Sequence, residues 1–271
     1  DAGGAETTGL WAGAGTFTKG TSTLTLTGSS KNLTYKGNET VQNLTISGSY
    51  TMNDIAGDGW FQPAGNLNIS GTLASAGSEA LFMDDGGTIT LTSATITGLY
   101  KIELAHTSGT VSVPACTTPR LFCSGSGGTT QATGDLTLTT ELEVNSGTTF
   151  NANGNTIACK DVDVNGGTLN LSNSALNFSV TSSGDDLNMN SSSTLITGNT
   201  TITGYSSSDR TLATLPSAGN FEVVGDVKWM RMQTDSDLTV IGAVIDCELV
   251  DSTANIRQWH HTLDTQQLLD A

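Results

Sequence analysis

Asn43–Gly48 reads NLTISG and Asn66–Gly71 reads NLNISG, two copies of one six-residue pattern whose starts lie 23 residues apart. In each copy two apolar residues at alternate places project to one side of an extended chain, and Thr45 or Asn68 between them projects to the other. The pattern is Asn or Asp, apolar, any, apolar, any, and often Gly. It returns as NLTYKG from Asn32, DLTLTT from Asp135, DVDVNG from Asp161, DLNMNS from Asp186, NFEVVG from Asn220 and DLTVIG from Asp237. Degenerate copies, TITLTS from Thr88 and TVSVPA from Thr110, fill the longest gap. From position 43 the starts step to 66, 88, 110, 135, 161 and 186, at intervals of 23, 22, 22, 25, 26 and 25. Such an interval accommodates three strands of about 5 residues each with their turns. The sequence therefore predicts an all-β chain folded as a right-handed, single-stranded parallel β-helix, a solenoid with coils of about 22–26 residues.

Each place in the pattern has a physical role. The apolar pair faces the interior. The Asn or Asp before it sits at a corner, where a short polar side chain can bond to the backbone or to its counterpart on the next coil. Gly at the sixth place, as in Gly37, Gly48, Gly71, Gly166, Gly225 and Gly242, tolerates the positive φ of a turn. Further strands are expected at Thr95, Glu141, Thr168 and Thr201. The spacing becomes uneven after Asp186, and SSSDRTLATLPSAGN is the expected inserted loop. A sandwich or barrel of antiparallel strands is the structural alternative. The expected organisation is an N-terminal cap or linker over 1–20, the β-helix over 21–252, and a truncated helical or connector segment over 253–271.

The chain has 271 residues and a net charge of -16, with only 10 Lys and Arg. Phosphate backbones require clustered cations, so nucleic acid is excluded as a partner, and anionic glycans and membranes are disfavoured. No apolar run is long enough to span a bilayer. Neutral glycans and proteins remain as partners. Of the four cysteines, Cys159 and Cys247 share the parity of inward residues, whereas Cys116 and Cys123 bracket TTPRLF at a spacing that permits a loop disulfide in an oxidising compartment.

The tract from Trp11 to Met52, WAGAGTFTKGTSTLTLTGSSKNLTYKGNETVQNLTISGSYTM, resembles the Gly/Thr-rich β-helical repeats of phage structural proteins, marine phages especially. It is similar in style to repeats of bacterial surface adhesins. The resemblance implies a structural or adhesive rod on a virion surface, or otherwise extracellular: a fibre, a spike or a capsid decoration, with a homotrimer as one assembly open to it. It carries over no functional residues, because the repeat is structural.

Chemistry is sparse. Paired carboxylates suited to glycoside cleavage occur at Asp84 with Asp85, Asp185 with Asp186, Glu141 with Glu143, and Asp161 with Asp163. A β-helical polysaccharide hydrolase or lyase is therefore the alternative function. β-Helical polygalacturonases carry Asn-Thr-Asp, Asp-Asp, Gly-His-Gly and Arg-Ile-Lys motifs, of which only Asp-Asp occurs here. No enzyme, cofactor or metal site is expected: NDIAGDGW from Asn53 lacks the alternating ligands of a calcium loop, and His106, His260 and His261 form no ligand set. Exposed aromatics on inserted loops would bind a glycan, and Trp60, Phe61 and Tyr205 are the candidates. Outward Thr-x-Thr rows suggest an ice-contacting face, but uneven intervals argue against the evenly spaced ranks that such a face needs.

Overall fold

In a computed structural model of the protein, the described residues are 20–35, 39–54, 59–75, 79–83, 87–91, 94–179, 186–206, 211–214, 220–233, 237–245, 247–249 and 259–260. They form an all-β solenoid. Every strand ladder among them is parallel, and most strands pair with the equivalent strand of the next coil, the ladders of the first and second faces being interrupted after Ile89–Leu91 and Thr95–Thr97. Parallel pairing on both sides of a strand leaves it no open edge.

Three faces repeat. The first runs through Thr23–Leu26, Asn43–Ile46, Leu67–Ile69, Ile89–Leu91, Thr110–Val113, Thr129–Ala132, Thr149–Asn151, Thr168–Asn170 and Thr194–Ile196 to Asp237–Ile241 and Trp259–His260. The second begins with Lys31–Tyr35, Ser49–Asp54, Thr72–Ser75 and Thr95–Thr97 and ends with Thr200–Thr203, 225–228 and Val244–Ile245. The third carries Glu39–Val41, Trp60–Pro63, Ala80–Met83, Lys101–His106, 120–125, 141–145, Asp161–Asn165, Asp186–Met189, Thr211–Thr214, Met230–Gln233 and Glu248–Leu249. Cys116–Gly125, Leu136–Asn145 and Asn220–Lys228 run round a corner and serve two faces each.

The core follows from parity. Leu44 and Ile46 stack on Leu67 and Ile69, and Leu142 and Val144 stack on Val162 and Val164, all eight essentially inaccessible to solvent. Burying each such side chain contributes about 1.5–3 kcal/mol, repeated at every rung. No helix among the described residues is long and apolar enough to cross a membrane.

Three expectations change in detail. First, the coil length is 17–26 residues, as the register shows: Asn220 pairs with Asp237, Thr110 with Thr129, and Thr168 with Thr194. The 22–26 series stepped between faces, because Asn43 and Asn66 start first-face strands, Asp135 precedes a second-face strand and Asp161 starts a third-face strand. The pattern marks the entry to a strand on any face. Second, part of the expected loop is a rung: Thr211–Thr214 pairs with Asp186–Met189 and Met230–Gln233, whereas 207–210 and 215–219 lie outside the described residues. Third, Gly48 and Gly71 do not have the positive φ expected of them. A Cβ on Gly71 would lie 2.0 Å from the Gly48 carbonyl oxygen, so the position demands room for the turn stacked beside it. Positive φ does apply at Gly166 and Gly225.

The corner Asx residues bond forward along the axis. Asn43 Oδ1 accepts the Asn66 amide at 2.9 Å, Asn66 Oδ1 accepts the Thr88 amide at 3.2 Å, and Asp135 Oδ1 accepts the Thr156 amide at 2.8 Å. These side chains supply partners to amides at the strand starts. Trp259–His260 adds a first-face strand beside Val240 and Ile241. Its side chains, and the helix expected beyond it, lie outside what is described.

Candidate functional site on the third face

Outward positions on the third face alternate with the buried ones, and the parallel register lines them up in columns. One column reads Phe82, Glu103, Phe122, Glu143, Asp163 and Asn188 on successive coils. The neighbouring column brings Arg120, Glu141 and Asp161 into register. The result is a banded surface, with aromatic groups and two cations towards the N-terminal side and carboxylates beyond them.

Each cation meets a carboxylate and at least one aromatic ring. Lys101 Nζ lies 2.6 Å from Glu103 and 4.6 Å from the Phe122 ring centroid. Arg120 covers the Tyr100 ring at 4.7 Å and faces Glu141 at 3.7 Å. Tyr100 itself remains 43% exposed. Ser124 Oγ donates to Glu103 at 2.6 Å. Trp60 stacks on Phe82 with centroids 5.3 Å apart. These contacts present aromatic edges and paired charges on a rigid sheet, an arrangement that suits recognition of a polar ligand.

Beyond Arg120 the carboxylates converge. Ligand oxygens of Glu141, Asp161 and Asp163 all lie within 4.8 Å of one another. Partial burial pushes the Glu141 pKa up from its ordinary value, Arg120 opposes the shift, and the charges of Glu143 and Asp163 add to it, as does a hydrogen bond with Asp163. A native acid with a raised pKa binds more protons than the unfolded chain. Its contribution to stability is therefore complete below the ordinary carboxylate range and is lost as pH rises through the native value. Replacing Glu141 with Gln is accordingly expected to stabilise the fold at pH 7.5, by up to about 1 kcal/mol after solvent screening. The gain should vanish near pH 4. Thermal melts of both chains at the two pH values test this, and an equal effect at both would refute the raised pKa of Glu141.

The sequence candidates are placed as follows. The two pairs Glu141 with Glu143 and Asp161 with Asp163 prove to be neighbours on adjacent coils, which single-strand spacing did not reveal. Asp84, Asp85 and Asp185 lie outside the described residues, as does the side chain of Asp186. Trp60 is half-buried on the outer side of the third face. Phe61 is not an exposed loop aromatic: it is fully buried and meets the Tyr35 ring edge-on at 5.5 Å, because WFQP alternates and Phe61 takes the inward parity. Tyr205 is 41% exposed at the corner before Thr211, its amide donating to Thr211 Oγ1. It enters four rungs beyond Arg120, about 19 Å along the axis. Tyr100, Lys101, Arg120 and Phe122 were not selected from sequence, since only the register groups them.

His106 is buried, and a Cβ on Gly128 would lie 1.6 Å from its ring. Within NDIAGDGW, Asp54 is buried and accepts the Gly59 amide, while 55–58 lie outside the described residues. All four cysteines are free thiols, so Cys116 and Cys123 are not joined. Burial pushes their pKa values up to about 11 and about 12, and keeps the thiolate scarce. Comparison with family models, with curated proteins and with solved structures finds no match for this chain.

Proposed function

We propose that the protein is a structural and adhesive surface rod that presents a recognition face away from a particle or cell. A virion fibre, spike or capsid decoration is the first setting, and a bacterial surface adhesin is the second. The observation that carries the reading is the third face itself: Tyr100, Lys101, Arg120 and Phe122 are fixed by neighbouring coils in a solenoid whose remaining regularity serves length and stiffness. Partners are a host-surface glycan or protein and other structural proteins of the same particle. Binding of the labelled chain to candidate host cells tests it. The double substitution Tyr100→Ala with Arg120→Ala should weaken binding at least about tenfold, the loss of one or two well-placed contacts. Undiminished binding by a folded double variant contradicts the assignment of this face.

A second reading, a polysaccharide hydrolase or lyase, is favoured by one observation. Glu141 has a raised pKa beside the carboxylates of Asp161 and Asp163, a pairing of acid and base character that glycoside cleavage uses. Release of reducing ends from neutral polysaccharide, abolished by Glu141→Gln and by Asp161→Asn, would replace the rod reading with this one.

A further inference from the structure

From Thr23 to Ile196 the first face, unlike the third, carries no charge at its described outward positions. From Thr23 to Ile196 the outward positions of its described strands hold Thr, Asn, Ser, Gln and, once, Ile, in a chain of net charge -16. Among the described outward positions charge returns further along, at Glu222. In the central part, Thr110, Thr129, Thr149, Thr168 and Thr194 stand in one continuous register column on five successive coils. No hydroxyl of these five makes a hydrogen bond among the described residues, whereas Asn151 and Asn170 beside them accept turn amides at 2.9 and 3.0 Å.

The register removes the objection raised by uneven coil lengths. Between these threonines the chain takes 19, 20, 19 and 26 residues, yet each step along the axis is one strand spacing of about 4.8 Å. Extra residues go into the corners. The second outward rank lies two residues along the strand, about 6.6 Å away. The second rank reads Ser112, Gln131, Asn151, Asn170 and Ile196 on the same five coils, so the two ranks make a net of mostly polar groups, with Thr rotamers restricted by β-branching. On the first four rungs the ranks flank a groove lined by Thr23, Asn43, Thr45, Asn66, Asn68 and Thr88.

We propose that this face binds ice over its uncharged part, the threonine rank from Thr110 to Thr194 ordering a water layer continuous with the crystal. A two-dimensional net matches a two-dimensional lattice, which a flexible polymer or a compact ligand does not provide. Among the described outward positions from Thr23 to Ile196 no aromatic is available to stack on a sugar ring, no cation or anion to pair with a polyelectrolyte, and only Ile196 to anchor a protein partner. The proposal is independent of the third-face reading, because it uses none of those residues.

The test is partition of the full chain into slowly grown ice, together with thermal hysteresis. The variants are Thr129→Tyr/Thr149→Tyr/Thr168→Tyr and, as a control on the second face, Thr137→Tyr. Thr149→Lys provides a milder disruption in case the triple variant fails to fold, and circular dichroism verifies the fold of each. Wild type and Thr137→Tyr should enter ice at least tenfold more than either first-face variant. Exclusion of the folded wild type from ice overturns the proposal, and so does equal partition of all variants. Retention on a neutral polysaccharide that is lost with the first-face substitutions, without ice enrichment, overturns it in favour of a glycan.

Discussion

Replacing Gly71 with Ala is expected to destabilise the solenoid by roughly 3 kcal/mol, the upper end of overpacking penalties. The added Cβ would lie 2.0 Å from Gly48 O and 2.9 Å from Gly48 C, both backbone atoms with no side chain able to give way. Gly48 O also accepts the Thr72 amide at 2.9 Å, so moving the carbonyl breaks the bond that starts the next strand. The same geometry recurs one coil earlier, where a Cβ on Gly48 would lie 1.8 Å from Gly28 O. Gly109 gives the contrast. It has φ +74 and open space around it, so it needs a conformation and not room. Gly109→Asn should therefore lower stability by well under about 1 kcal/mol, since Asn adopts the left-handed region readily, while Gly71→Asn should cost as much as Gly71→Ala. Urea midpoints for these variants test the distinction. Equal effects at the two positions would mean that the turns are not stacked as described.

Phe61→Ala is expected to cost about 3–5 kcal/mol, the range for removing a buried aromatic. Phe61 sits inside the coil against Tyr35 and stacks on Leu81 of the next coil. A solenoid coil contacts only its neighbours, so the loss should appear first as local opening of the rungs around 35–81. Hydrogen exchange resolved by segment would detect it. A glycan-binding role on an exposed loop predicts the opposite result, unchanged stability with lost binding, and that result would return Phe61 to the surface.

Parity was the legible part of this sequence. The apolar pairs Leu44 with Ile46 and Val162 with Val164 were assigned inward from alternation alone, and they are buried. Trp60–Phe61 obeys the same rule, and reading WFQP by alternation separates Phe61 from Trp60 without a structure. The coil length was less legible because the Asx-apolar pattern reports entry to any strand. Asp135 and Asp161 look like one repeat but belong to different faces. Without the true offset, Glu141 could not be set beside Asp161 nor Phe122 beside Glu103, so the banded third face was invisible. The same hidden offset made the threonine ranks look irregular. Strand spacing, not residue count, sets the distance between rungs.

The central claim is that equivalent positions rise by one strand spacing per coil whatever the number of residues between them. Spin labels on Thr110→Cys and Thr194→Cys, in a chain whose half-buried Cys116 and Cys247 are replaced by Ser, measure this directly, since the two sites are four rungs apart in one outward column. Pulsed electron paramagnetic resonance should give a single narrow distance near about 19 Å, four strand spacings, apart from the reach of the label arms. A broad distribution, or a distance beyond about 30 Å, would contradict the parallel solenoid and its register.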